Sequence, residues 1–285
     1  MKATTMDEAK VIWMYWAQGW DNAPSLVKKC RRSWEDSNPD YQVIALDDLS
    51  VGEYLNIPSE IRVNRPDITV QKISNLIRIG ILAKHGGVWA DATLMCSKPL
   101  RAWLPEYFST GFFAFRNPGK DRMFSSWFMA SEPGNKLSEQ LFAEYSTFLA
   151  TNSFTNQNNS LGLMLRSIFR KKWNRNVNTT INWHSDFAKN VLKTYPYYIF
   201  HYTFNKVIME DAECRHIWES AKPYLKDDPR ILKRLSRRRK NKQKAIDFVF
   251  SEISPMHKLN WRKDMDTEFW KEVLGALELA RQPYI

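Results

Sequence analysis

The chain has 285 residues, of which 44% are hydrophobic and 26% are charged. This balance is ordinary for a soluble globular protein, excludes an intrinsically disordered chain and provides enough apolar residues for a substantial core. The three cysteines, Cys30, Cys96 and Cys214, lie far apart in the sequence. Their spacing excludes a disulfide framework and the common zinc motifs, and it favours a cytoplasmic setting.

The net charge of +11 comes largely from one basic segment, residues 230–244. This segment contains nine lysine or arginine residues and no acidic residue. It is a solvated loop or helix face, a docking surface for an anionic membrane, or a nucleic-acid-binding patch. No window approaches the roughly 20 apolar residues of a membrane-spanning helix, and the first residues do not resemble a signal peptide. We therefore expect a cytoplasmic protein, soluble or peripheral on the inner face of the plasma membrane.

The first 50 residues predict a strand, a helix and a second strand. The apolar, β-prone run of residues 11–16 indicates a buried strand. Apolar residues then recur at helical spacing from Leu26 to Trp34, and residues 41–46 indicate the next strand. Two strands joined by a helix in so short a stretch favour an α/β fold with a parallel sheet.

Residues 70–85 form the most helix-like run of this half of the chain, with a wide apolar face. Gly86 is placed to end that helix in a left-handed conformation. Residues 87–90 then indicate a strand, and Asp91 follows where the strand ends. In open α/β sheets ligands bind outside the carboxyl ends of the strands, so the position of Asp91 favours a functional role.

The later elements are mostly helical. Strands are predicted at 111–116 and 195–202, and helices at 123–130, 137–151, 161–173, 212–225 and along an apolar stripe from Phe269 to Leu277. We expect two domains, one at 1–228 and one at 229–285. The second comprises the basic segment and the last helix, packed on the first domain or on the membrane surface.

Asn75 and Arg78 lie three residues apart on the predicted 70–85 helix, so they share one face. Arginine can clamp a phosphate, an amide can read sugar hydroxyls, and a carboxylate such as that of Asp91 can hold a hydroxyl or a hard cation. A structural ion pair between Arg78 and Asp91 is the alternative interpretation. His201 is either a core histidine or a further contact to a cation or diphosphate. The common hydrolase and nucleotide-binding motifs do not occur.

Together, several short stretches resemble the capsular polysaccharide synthesis proteins. These are bacterial glycosyltransferases related to the initiating yeast α-1,6-mannosyltransferase and to the glucosylating clostridial toxins. The resemblance rests on IWMYWAQG at 12–19, APSLVKKC at 23–30, ISNLIR at 73–78 and GGVWADAT at 86–93. The last two are similar to that superfamily's serine-aspartate-x-x-arginine helix and its DxD strand.

The resemblance implies a GT-A-type, Rossmann-like fold: a mixed, mostly parallel sheet flanked by helices, with helical additions in the C-terminal half. It implies a nucleotide-sugar donor, a Mn²⁺ or Mg²⁺ cofactor and retention of the anomeric configuration. The catalytic residues would be Asp91 and Arg78, and Trp16, Asn75, Arg78, Trp89 and Asp91 would bind the donor. The metal would be held by Asp91, Thr93 and His201.

Two positions depart from the superfamily pattern. Asn75 stands where aspartate is usual, and Thr93 stands where the second acid of the DxD motif would bind the metal. A threonine hydroxyl is a poorer ligand for a hard cation than a carboxylate. Thr93 is nevertheless familiar in the capsular branch of the superfamily.

These observations predict a hexosyltransferase that uses a UDP- or GDP-sugar and extends a capsular or other cell-surface polysaccharide on a glycan or lipid-linked acceptor. Nucleic acid is not an expected partner. The alternative is a non-catalytic, basic nucleic-acid- or glycan-binding protein, in which Asp91 is structural and the basic segment is the binding surface. A toxin that modifies host protein is a third interpretation.

Overall fold

The computed structural model describes residues 10–62, 65–152, 160–193, 195–224, 228–235, 242–251, 254–261 and 268–282. Within these ranges seven strands form two sheets: β1 (Val11–Tyr15), β2 (Gln42–Leu46), β3 (Gly87–Ala90), β4 (Leu94–Cys96), β5 (Phe112–Gly119), β6 (Arg122–Ser131) and β7 (Met256–Lys258). The α-helices of the same ranges are α1 (Ser25–Ser37), α2 (Val51–Tyr54), α3 (Ser59–Arg62), α4 (Val70–His85), α5 (Lys136–Thr151), α6 (Ser160–Trp173), α7 (Ile199–Glu210), α8 (Ala212–Ser220), α9 (Ile231–Leu235), α10 (Lys242–Phe250) and α11 (Glu268–Arg281).

The large sheet has the strand order β2-β1-β3-β6-β5. β2, β1 and β3 are parallel neighbours, whereas β6 pairs antiparallel with both β3 and β5. Four strands therefore point the same way and β6 is reversed. The predicted mixed, mostly parallel sheet flanked by helices is confirmed, and so is the strand–helix–strand unit at its start.

The sheet is buried on both faces, as the side chains of β1 illustrate. Trp13 and Tyr15 belong to one core cluster, with residues of α4, α5 and α7. Ile12 and Met14 belong to a second cluster, with Trp34 of α1 on the opposite face. Successive side chains of a strand point to opposite faces, so a strand covered on both sides is apolar throughout.

The prediction of a helix at 123–130 is wrong, because these residues lie in strand β6. The buried residues Phe124, Trp127 and Phe128 have a spacing that mimics one face of a helix. In the structure β6 lies within the sheet between β5 and β3, and both of its faces are buried: Met129 belongs to one core cluster and Phe128 to the other. Apolar residues on both faces removed the alternation that would have indicated a strand.

The strand predicted at 195–202 is also wrong, because α7 begins at Ile199. Aromatic residues favour strands, and they dominate this stretch. Tertiary packing overrides that preference here: Phe200 and Phe204, one helical turn apart, both pack on Phe124 of β6. Their ring centroids lie 5.6 and 4.1 Å from the Phe124 ring. His201 consequently lies in the first turn of a helix.

The C-terminal elements pack on the N-terminal half. β7 pairs antiparallel with β4 in the small sheet. The predicted apolar stripe of α11 is buried, and Trp270 and Leu277 share a core cluster with Leu26 and Cys30 of α1. The boundary between domains at 228 and 229 stays a prediction.

The structure describes only part of the basic segment, residues 230–244. Residues 236–241 lie outside the described ranges, so membrane docking through 230–244 rests on the sequence. In the described part, the ammonium of Lys242 lies 2.6 Å from the carboxylate of Glu272 on α11. Among the helices that the structure describes, none combines the length and apolar character needed to cross a membrane.

Candidate active site

The carboxyl ends of β1 and β3 lie side by side. The two strands are parallel, with Trp13 opposite Trp89, so the residues that follow them emerge at the same edge of the sheet. Trp16 follows β1, and its backbone N–H donates to the carbonyl of Leu46 at 2.9 Å. Asp91 follows β3, and its backbone N–H donates to the carbonyl of Trp127 at 2.9 Å. These bonds hold Trp16 and Asp91 at the sheet edge.

Helix α4 brings Asn75 and Arg78 to this edge. Arg78 donates from Nη1 to Oδ1 of Asn75 at 2.5 Å and from Nη2 to Oδ1 of Asp91 at 2.6 Å. The Arg78 side chain is only 5% exposed, and its guanidinium carbon lies 5.2 Å from the centre of the Trp89 ring. The Arg78–Asp91 ion pair is therefore present, and it is formed in the wall of a cavity.

The Asp91 carboxylate is surrounded by donors. Trp89 Nε1 donates to Oδ1 at 3.1 Å, and the ammonium of Lys258 lies 2.6 Å from Oδ2. Burial alone would raise the pKa of the Asp91 carboxyl, but the charges of Lys258 and Arg78 hold that pKa below its ordinary value. A carboxylate with a lowered pKa and both oxygens engaged is a poor proton acceptor. The arrangement suits the positioning of positive charge.

An open cavity of about 980 Å³ lies against this edge of the sheet. All of the site residues predicted from the sequence line it: Trp16, Asn75, Arg78, Trp89, Asp91, Thr93 and His201. They come from β1, α4, β3 and α7 and the turns beside them. The fold thus brings these residues together, whereas their individual roles stay predictions.

His201 reaches the cavity from the first turn of α7. Its ring lies 5.0 Å from the Phe124 ring and 5.5 Å from the Tyr198 ring, measured between centres. Among the described residues, Nδ1 of His201 has no hydrogen-bond partner. Burial and the nearby charges of Arg122 and Arg78 hold the pKa of His201 well below its ordinary value. The imidazole is therefore neutral near pH 7 and can offer a ring nitrogen to a ligand.

Aromatic rings form part of the cavity wall. Trp16 contacts Trp261 edge to face, with 5.3 Å between the ring centres. Tyr195 and Tyr197 line the cavity from the segment before α7, and Tyr197 is 75% exposed. Flat rings of this kind suit stacking on a nucleobase or a sugar. Trp261 and the two tyrosines were not predicted as site residues, because they lie outside the stretches that carry the motifs.

Lys258 is a charged residue of the site that the sequence did not predict. Its Nζ lies 2.6 Å from Oδ2 of Asp91 and 2.9 Å from Oγ1 of Thr93. It is the last residue of β7 and pairs with Leu94 of β4, so the strand pairing places its ammonium beside Asp91. The two residues are separated by 167 positions in the sequence. No local pattern connects them.

Asp91 and Thr93, two of the predicted metal ligands, are already engaged by positive charge. Both Asp91 oxygens accept from positively charged side chains, and the Thr93 hydroxyl faces the same ammonium. In the part of the chain that the structure describes, no three His, Cys, Asp or Glu side chains form a group that could hold a metal ion. As arranged, these residues do not fit a divalent cation. The requirement for Mn²⁺ or Mg²⁺ stays a prediction of the resemblance.

The chain matches a protein family and is similar in part to a solved structure. No curated protein matches the chain. The solved structure described as "PaToxG Glycosyltransferase" is similar at 13% identity and a TM-score of 0.38, covering 74% of this chain and 87% of that one. The model of the family described as "Capsular polysaccharide synthesis protein" matches residues 1–274. This match spans nearly the whole chain, so the protein belongs to the capsular polysaccharide synthesis family.

Proposed function

We propose that this protein is a glycosyltransferase that moves a hexose from a UDP- or GDP-sugar to a growing capsular or other cell-surface polysaccharide, with retention of configuration. Family membership supports synthesis of a capsular polysaccharide. The observation that carries the proposal is the single cavity lined by Trp16, Asn75, Arg78 and Asp91 at the carboxyl edge of the parallel strands. That edge is where α/β sheets bind their ligands.

The cavity has the size and chemistry that a nucleotide-sugar needs. Its volume of about 980 Å³ is at the upper end for small-molecule sites, which suits a ligand with a base, a ribose, a diphosphate and a sugar. In our proposal, Trp16 flanks the base and the positive charges of Arg78 and Lys258 face the diphosphate. The amide of Asn75 reads a sugar hydroxyl.

The proposed reaction breaks the bond between the anomeric carbon and the phosphate oxygen of the donor. Negative charge develops on the departing diphosphate, and the cations beside Asp91 stabilise it. The acceptor hydroxyl forms the new bond on the same face of the sugar, and its proton passes to the leaving phosphate oxygen. No side chain is required as a strong base, which agrees with the lowered pKa of Asp91.

An acceptor has room beside the donor. A second cavity of about 360 Å³ shares Tyr195, Pro196 and Tyr197 with the first and is also lined by Arg170 and Trp183. Tyrosine and tryptophan rings pack well on sugar faces, and an arginine suits an anionic group on the acceptor. This neighbouring cavity supports a glycan as the second substrate.

Nucleotide-sugar binding is the first test of the proposed function. In a thermal-shift screen with and without Mn²⁺, one series of UDP- or GDP-sugars is expected to raise Tm by about 5 °C near 100 times its Kd. Trp16→Ala is expected to weaken that binding about 10-fold through lost stacking. Phe250→Ala removes a ring that is 50% exposed and does not line the cavity, so it serves as the control. Absence of any shift across both series would contradict the proposal.

Docking on an anionic membrane through residues 230–244 is a further part of the proposal. The nine basic residues of this segment are each worth about 1 kcal/mol at such a surface, enough for peripheral binding. We expect the protein to sediment with vesicles that contain anionic lipid and to stay in solution with neutral vesicles. Salt should release it, because the attraction is screened. Equal binding to both kinds of vesicle would contradict electrostatic docking.

A further inference from the structure

The ammonium of Lys258 occupies the position where the resemblance places a divalent metal. It is bonded to Asp91 and Thr93, two of the three side chains that the resemblance implies would hold the ion, at 2.6 and 2.9 Å. The remaining Asp91 oxygen accepts from Arg78 and Trp89. A divalent ion could bind there only by displacing Lys258, and it would then face the nearby guanidinium of Arg78.

The backbone holds Lys258 in this position. β7 pairs antiparallel with β4, and the N–H of Leu259 donates to the carbonyl of Thr93 at 2.9 Å. Strand β7 thus carries the ammonium, and its two oxygen partners lie in the short turn between β3 and β4, which the Leu259–Thr93 bond ties to the end of β7. The Lys258 side chain is 17% exposed, which leaves part of it accessible.

Among the described residues, the ammonium has two acceptors, which leaves one donor for a ligand. A lysine ammonium carries three N–H donors, and the contacts with Asp91 and Thr93 use two of them. Asp91 and Thr93 line the large cavity, so a ligand seated against them meets Lys258. A phosphate oxygen carries negative charge, so an ammonium binds it through a strong charge-assisted hydrogen bond.

We propose that Lys258 is a built-in cation for the donor's diphosphate, which it binds in place of a divalent metal. This inference rests on the proposed function and specifies its cofactor requirement. Asp91 and Thr93 then act as positioning residues for the ammonium. Thr93 suits that role, because a neutral hydroxyl orients an ammonium well and binds a hard cation weakly.

Calorimetric titration of UDP and GDP, in EDTA and in Mn²⁺, tests the inference. The wild-type protein is expected to bind one of them with nearly the same Kd in both buffers. Lys258→Ala should weaken binding in EDTA about 10- to 100-fold, through loss of a charge-assisted hydrogen bond. Lys258→Arg, which keeps the charge, should retain most of the affinity. Lys29→Ala removes a surface lysine paired with Glu278, and it should leave binding unchanged.

Binding of Mn²⁺ itself supplies a second readout, by electron paramagnetic resonance in the presence of the nucleotide. The wild-type protein is expected to hold no tightly bound Mn²⁺. Lys258→Ala, with the oxygens of Asp91 and Thr93 released, should gain it and recover part of its nucleotide affinity. Wild-type binding that needs Mn²⁺ and is unaffected by Lys258→Ala would overturn the inference while leaving the proposed function intact. Absence of nucleotide binding in both buffers would instead contradict the proposed function, and the inference with it.

Discussion

Asp91→Asn is expected to lower the rate of sugar transfer at least about 100-fold, the scale seen when one charge-stabilising group is removed from an active site. Asparagine keeps the size of the side chain but loses the charge. Both Arg78 and Lys258 are anchored to that carboxylate, at 2.6 Å each. Without it the two cations lose their alignment, and the departing diphosphate loses its stabilisation. The measurement is kcat for transfer or donor hydrolysis at saturating donor.

The same substitution should lower stability, because Arg78 is nearly inaccessible to water. Breaking a buried ion pair by removing one partner costs about 3 kcal/mol or more, which urea denaturation would measure. Glu144→Gln is the matched control, since Glu144 pairs with Lys206 at 2.9 Å on the more exposed surface and does not line the cavity. We expect it to change stability by at most about 1 kcal/mol and leave turnover unchanged. Reduced stability with near wild-type kcat would make Asp91 a structural residue only.

Gly86→Ala is expected to destabilise the fold by about 2–4 kcal/mol. Gly86 joins α4 to β3 with φ 65° and ψ −157°. The sequence predicted a left-handed conformation, and φ is indeed positive; with this ψ, the residue lies in a region that essentially glycine alone adopts. A Cβ there would lie 2.5 Å from Cδ of Pro133 and 2.9 Å from the carbonyl oxygen of Ser131. Backbone strain and the clash with Pro133 and the end of β6 both lower the stability of the variant. The measurement is the midpoint of urea denaturation.

Gly275→Ala provides the control for that substitution. Gly275 lies within α11, has no positive φ and has open space around the position of an added Cβ. Alanine favours helix over glycine, so we expect a gain of up to about 1 kcal/mol. A loss smaller than about 1 kcal/mol in Gly86→Ala would show that the corner between α4 and β3 tolerates a side chain. The constraint on the backbone leading to Asp91 would then be weaker than the structure implies.

The parts of the fold that local sequence predicts best are those with clear boundary residues. Helix α4 and strand β3 were predicted with the bounds that the structure has, because Gly86 separates two clear patterns. The errors fell where the local pattern of apolar or aromatic residues favoured the other kind of element. In β6 the two-sided burial hid the strand period, and in α7 the contacts of Phe200 and Phe204 with Phe124 outweighed aromatic strand preference.

The candidate site also contains some residues whose proximity the sequence predicts and others that only the tertiary structure brings together. One continuous stretch of helix, turn and strand contains Asn75, Arg78, Trp89 and Asp91. Their proximity follows from the local geometry of this stretch, so it can be predicted from the sequence. Trp16 joins them because β1 and β3 are parallel neighbours, which the strand–helix–strand pattern also predicts. The family motifs lie in this part of the chain, and they indicate the same cluster.

The positions of Lys258 and His201 depend on tertiary structure, since each reaches the site from an element remote in sequence. His201 was a candidate through the family resemblance, whereas Lys258 was not predicted. The pairing of β7 with β4 places Lys258 against Asp91, and the packing of α7 on β6 places His201 in the cavity wall. Long-range pairing depends on the whole hydrophobic core and leaves no periodic signal beside the residues it brings together. The sequence alone therefore identified Asp91, at the end of β3, as a candidate site residue. Only the tertiary structure showed that the ammonium of Lys258 is bonded to it.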